Sequence, residues 1–191
     1  MDELRDSAAL SIWDEEGTAS FYALPLPSTA PQVQNLWHDI PEDQLYFVSS
    51  FKCAKSPQSH IGPFRWAIDF LVPDGTPVLA ACDGVVTEVK DDSNQWGDSP
   101  EFQNHLNFIT IRHLNGEFTQ YCHLAAGSAR VNGLENGVRV SKGQRIATVS
   151  KSGWTDRDHL HFIVFRSDSR KENPFGFKSL RIRFTSSAAE E

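Results

Sequence analysis

The chain of 191 residues has few cysteines, no long apolar run, no block of basic residues and no sustained helical period. Cys53, Cys82 and Cys122 are odd in number and widely spaced, which argues against a disulfide framework and a cysteine zinc site; each reads as a small buried residue. No apolar stretch approaches the ~20 residues that cross a bilayer, so no transmembrane segment is expected. The formal charge of -7 disfavours nucleic acid and anionic lipid as partners. The opening "MDELRDSAALSIW" has acids where a secretory leader carries basic residues, and it lacks an apolar core of about 7 to 15 residues. No export signal is visible.

What is present is strand-like. From Tyr46 onward, short runs rich in valine, isoleucine, threonine and aromatics ("YFVSSF", "FRWAIDFLV", "GVVTEV", "LNFITIRH", "EFTQYCHL", "HLHFIVF") alternate with turn residues, the signature of a mainly β architecture. "PDGTP" at 73 to 77 and "LNGE" at 114 to 117 are turn signals, and the second predicts a hairpin between "FITIRH" and "FTQYCHL". Before this region the prolines of "ALPLPSTAP" forbid a regular helix or central strand. The expected organisation is an N-terminal arm over 1 to 45 packing on one domain over 46 to 184, with a disordered tail over 185 to 191. Residues 91 to 105 read as a polar surface loop.

Chemistry concentrates in a few positions. If "HLHF" is a strand, its period of two sends His159 and His161 to one face and Leu160 and Phe162 to the other. In "FRWAIDFLV" the same period puts Trp66, Ile68, Phe70 and Val72 toward the core and Asp69 opposite, with Ala67 and Arg65. In "QYCHL" it places His123 with Tyr121. If these faces converge, Asp69, His123, His159 and His161 form a nitrogen and carboxylate donor set without sulfur, which suits a catalytic zinc. His105 and His113 read as loop or sheet-edge residues without a catalytic role.

The segments "AIDFLVPDGTPVLAACDGVV", "YCHL", "VRVSKGQRIATVSKSGW" and "DHLHF", in that order, resemble the lysostaphin/LytM-type zinc metallopeptidases over roughly residues 58 to 166. The resemblance implies an antiparallel β-sheet groove, or β-sandwich of the LytM (duplicated hybrid motif) type. It also implies one Zn2+ ion, a peptidoglycan peptide substrate and a place in the cell envelope or outside the cell. It would make Asp69 and His161 zinc ligands, and His123 and His159 the two non-ligand histidines that move protons and stabilise the oxyanion.

The departure is at the first ligand. Where the family pattern has a histidine four residues before the aspartate, this chain has Arg65, which offers no lone pair and repels a cation. His60 in "SHIGP" is a candidate replacement. Nine extended residues would hold it about 30 Å from Asp69 at ~3.3 Å per residue, so it serves only if a turn at Gly62-Pro63 folds it back. Two readings follow. In one, His60, Asp69 and His161 hold zinc in an active endopeptidase, with Arg65 facing the groove near a substrate carboxylate. In the other, Arg65 plugs a dead site, and the chain is a silent module that binds wall peptide or regulates another hydrolase. A lipoyl-like hybrid domain would share the sheet but leave Asp69 unexplained.

Overall fold

A computed structural model of the chain describes residues 16–169 and 175–185. In chain order its strands are β1 (Gly17–Tyr22), β2 (Leu45–Val48), β3 (Phe51–Ala54), β4 (Ile68–Phe70) and β5 (Pro77–Leu79). There follow β6 (Gly84–Lys90), β7 (Trp96–Gly97), β8 (Phe108–Arg112), β9 (Phe118–Cys122) and β10 (Arg139–Val140). The last are β11 (Arg145–Thr148), β12 (Gly153–Trp154), β13 (Leu160–Ser167), β14 (Phe177–Ser179) and β15 (Arg181–Phe184). The protein is mainly β. Its principal sheet runs β10-β6-β8-β9-β13-β4-β3-β2 with β14 added beside β13, and its neighbouring strands are antiparallel.

Register across this sheet decides which side chains meet. His161 on β13 lies opposite Asp69 on β4 and Cys122 on β9, and Asp69 lies opposite Ala54 on β3. Directly opposed residues share a face, so these four form one row. One residue along, Phe162 is opposite Ile68 and Tyr121, and Tyr121 is opposite Ile109. That row belongs to the hydrophobic core with Phe70, Leu160 and Val164. The strand period therefore separates an apolar face from the one carrying Asp69 and His161.

The hairpin of β8 and β9 forms as its Asn115-Gly116 signal predicts: Gly116 has φ +79 and the His113 N–H donates to the Glu117 carbonyl at 2.9 Å. The 91 to 105 segment holds more structure than a loop. Trp96–Gly97 pairs in parallel with Gly153–Trp154, and Pro100–His105 is 3-10 helical. His113 is likewise not at an exposed edge. It is buried against Tyr22, with Nδ1 facing the Asp83 carbonyl at 2.8 Å and Nε2 facing Thr119 Oγ1 at 3.0 Å.

Residues before β2 contribute structure of their own. β1 pairs in parallel with β15, and the segment is fastened by the buried Glu117 carboxylate, which accepts from the Ala19 N–H (2.6 Å), Tyr22 hydroxyl (2.8 Å) and Asn115 Nδ2 (2.8 Å). The expectations for residues 1 to 15 and for 186 to 191 lie outside the described residues.

Glu117→Ala removes the acceptor of the buried Tyr22 hydroxyl and of the Ala19 N–H, and should cost about 1–3 kcal/mol. Urea unfolding measures this cost, and hydrogen exchange should quicken first at Ala19.

Candidate active site

The bend between His60 and Asp69 is built from local turns. His60 N–H donates to the Ser56 carbonyl at 2.9 Å, Ile61 is extended, and Gly62 takes φ +53, a left-handed conformation glycine adopts without Cβ strain. Gly62–Phe64 forms a 3-10 turn with Pro63 in its first positions, and Ala67 N–H bonds back to the Phe64 carbonyl at 2.9 Å. Each turn shortens the path. His60 Nε2 ends 3.1 Å from Asp69 Oδ2.

The same turns correct the strand reading of "FRWAIDFLV". Only Ile68–Phe70 is strand, and Arg65 has helical dihedrals of φ -56 and ψ -22. Arg65 consequently leaves the face of Asp69: its guanidinium pairs with Glu16 and lies 5.6 Å over the Trp66 ring. Both partners are outside the His60, Asp69 and His161 cluster.

Asp69 is the centre of the cluster. Its Oδ1 is 2.8 Å from His161 Nδ1 and 3.7 Å from His159 Nε2, while Oδ2 faces His60. One ligand atom from each of His60, Asp69 and His161 lies within 4.8 Å of the others. His60 is buried, yet neither ring nitrogen has an aligned hydrogen bond; the 3.1 Å approach to Asp69 is close without being directed. A buried imidazole whose nitrogens make no aligned hydrogen bond is costly. Donors converging on a common point explain it, so these residues fit a metal ion. Burial alone would raise the Asp69 carboxyl, but the imidazoles of His159, His161 and His60 outweigh it and hold the group well below the carboxylate range.

His123 and His159 stand beside this cluster with their rings 4.4 Å apart. His123 does not continue the face of Tyr121. Tyr121 packs on Phe162 in the core, whereas His123, at φ +62, packs on His159 and His161. A left-handed residue after β9 turns its side chain to the other side of the sheet. His123 Nδ1 faces the Ser152 carbonyl at 2.8 Å, and His159 Nδ1 faces the Arg157 carbonyl at 3.1 Å. Carbonyls only accept, so each Nδ1 carries the proton and each Nε2 keeps its lone pair. Burial, and then repulsion from the neighbouring imidazoles, keeps His123 well below the ordinary histidine range. Burial also lowers His159, against the pull of Asp69. Both are neutral at pH 7.

Other groups are excluded by position or charge state. Cys122 adjoins His161 in register and Cys53 lies on β3; burial pushes both thiols up, and neither belongs to the converging group of His60, Asp69 and His161. His105 sits on Phe102 with Ser93. The orienting carbonyls of Ser152 and Arg157 carry no signal in sequence, because any residue supplies a carbonyl.

The sequence profile of Peptidase family M23 matches residues 63–174, more than half of the chain. The chain belongs to peptidase family M23. The matched stretch contains Asp69, His123, His159 and His161, and it begins three residues after His60. This M23 chain is 35% identical over 126 residues to the DD-carboxypeptidase/endopeptidase Mpg of Neisseria meningitidis, covering 66% of this chain and 25% of that protein. It is 37% identical over 94 residues to the peptidoglycan DD-endopeptidase ShyC of Vibrio cholerae, covering 49% of this chain and 18% of that one. The M23 chain thus spans a quarter or less of these relatives' lengths. Among solved structures, the catalytic domain of the prophage-encoded M23 protein EnpA from Enterococcus faecalis aligns with TM-score 0.45 and 26% identity, over 71% of this chain and 91% of that one. A zinc-containing peptidase from Vibrio cholerae aligns with TM-score 0.48 and 23% identity, over 76% and 36%.

Gly62→Val forces a β-branched residue into the left-handed region, and it should lower stability by about 1–3 kcal/mol. A chemical denaturation midpoint equal to wild type would contradict the role given to this turn.

Proposed function

We propose that this M23 chain is a zinc-dependent endopeptidase that hydrolyses peptide bonds of bacterial cell-wall peptidoglycan, acting in the envelope or outside the cell. The observation that carries the reading is the convergence of His60, Asp69 and His161, with His60 buried and otherwise unpartnered. Two imidazoles and one carboxylate are a donor set of catalytic zinc sites, which keep a further position open. The names of the relatives Mpg and ShyC support a wall peptide as the substrate class.

When bound, zinc supplies a Lewis acid that polarises a peptide carbonyl and makes water acidic enough to deprotonate near neutral pH. The chain's own residues do the rest. A cleft of about 150 Å³ opens on Asp69 and His159, walled by Ile40, Gln44, Ser56 and Arg157, and a peptide lying there is positioned beside His159, whose ring packs on that of His123. With their Nδ1 protons held by backbone carbonyls, His123 and His159 each present an Nε2 lone pair. One accepts a proton from the attacking water and returns it to the leaving amine. Once protonated, either can donate a hydrogen bond to the oxyanion.

Arg65 bears on the silent-module reading, which required it to plug the site. Its pairing with Glu16 and Trp66 directs it away from the cluster, which supports the active reading. Arg65→Ala should therefore leave zinc content unchanged. His123→Ala and His159→Ala should each retain zinc and lose about 10²–10⁴ in kcat on purified muropeptides. Elemental analysis gives the decisive comparison: wild type should carry one zinc and His60→Ala far less. Equal, near-stoichiometric zinc in both would sink the ligand assignment, and zinc in neither would favour the silent module.

A further inference from the structure

Residues 155–159, between β12 and β13, are irregular, yet they carry the carbonyl that sets the tautomer of His159. The last backbone bond to neighbouring structure before β13 is Thr155 N–H to the Gly97 carbonyl at 3.1 Å. Beyond it, the backbone of Arg157 is held locally by Thr155, whose hydroxyl donates to the Arg157 carbonyl at 2.9 Å and accepts from its N–H at 3.3 Å. The long-range hold on this residue comes from its side chain. Arg157 grips Asp156 with Nε at 3.0 Å and Nη2 at 2.6 Å. Nη1 reaches a different part of the chain, Asp39 Oδ1 at 2.9 Å and the Leu36 carbonyl at 3.3 Å. Leu36 and Asp39 lie outside the stretch matched by the family profile.

We propose that Arg157 is a positioning residue: by clamping the 36 to 39 segment to the 155 to 159 loop, it fixes the carbonyl that holds the His159 proton on Nδ1 and aims Nε2 at the site. The clamp works through geometry more than energy. Its partners are largely exposed, Asp39 at 57% and Asp156 at 47% of the side chain, so it adds little to global stability. A guanidinium fork fixes direction because its N–H groups are coplanar: one edge holds the adjacent Asp156, and the two contacts of Nη1 with Leu36 and Asp39 tie the loop to the 36 to 39 segment. The two clefts beside the loop share Asp156 and Arg157 in their walls, so the clamp also separates the cleft at His159 from the one at Trp96. A segment outside the family-matched stretch thereby takes part in forming the site.

The tautomer part of this inference is independent of peptidase activity, while the kinetic part rests on that reading. Long-range ¹H–¹⁵N correlation spectra of histidine-labelled protein, recorded on the chain as purified, identify which ring nitrogen of His159 is protonated. Wild type should give the Nδ1–H pattern alone. Arg157→Ala and Asp39→Ala should each bring up a second, Nε2–H pattern at His159, while His113, buried elsewhere, keeps its wild-type signals as an internal check of folding. On muropeptides, both variants should show kcat reduced roughly tenfold with KM and zinc content unchanged. An unaltered His159 pattern in Arg157→Ala would overturn the proposal and leave Thr155 as sufficient. A change in Arg157→Ala without one in Asp39→Ala would overturn the part assigned to the N-terminal segment. Loss of the His159 effect cannot be confused with absence of peptidase activity, because the spectra need no substrate.

Discussion

A carboxylate buried among three imidazoles constrains this part of the fold. Asp69 is reached by His161 through strand register, by His159 from the residue just before the same strand, and by His60 through a chain of tight turns. Removing a carboxylate from water is unfavourable, and the arrangement is tolerable because its oxygens face the imidazoles of His60, His159 and His161. The row of opposed residues on β3, β4, β13 and β9 makes that possible, since it puts Asp69 and His161 on the face opposite the core residues Phe70, Leu160 and Phe162. Polar chemistry and apolar packing are separated by one strand period.

Much of this could be read from sequence wherever the governing rule is local. Asn115-Gly116 specified its hairpin, and the two-residue spacing of His159 and His161 specified their common side. The misplaced residues are those where a left-handed or helical dihedral interrupts the period. His123 was expected beside Tyr121 and is instead turned to the opposite side at φ +62. Arg65 and Trp66 were expected on a strand and lie in the turns that follow Gly62. Those turns are the same feature that carries His60 to Asp69, so the error about Arg65 and the route by which His60 arrives have one cause. His113 was missed for another reason: its burial depends on Tyr22, some ninety residues away in the chain, and no local pattern reports such a contact.

The family-matched stretch supplies Asp69 and the three histidines of the two "H-L" motifs, but the site draws on residues before it. His60 comes from a loop that ends just ahead of the matched residues, and the 36 to 39 segment reaches Arg157 beside the "HLH" run. Arg65 and the converged cluster of His60, Asp69 and His161 coexist because His60 reaches Asp69 by a separate backbone path, through the turns around Gly62.

X-ray absorption at the zinc edge reads the identity of the metal's ligands directly. The predicted spectrum is a shell of nitrogen and oxygen at about 2.0–2.2 Å with imidazole scattering from two rings, reduced to one ring in whatever zinc His60→Ala retains. Sulfur at about 2.3 Å, which would implicate Cys53 or Cys122, or a two-ring signal that survives His60→Ala, would contradict it.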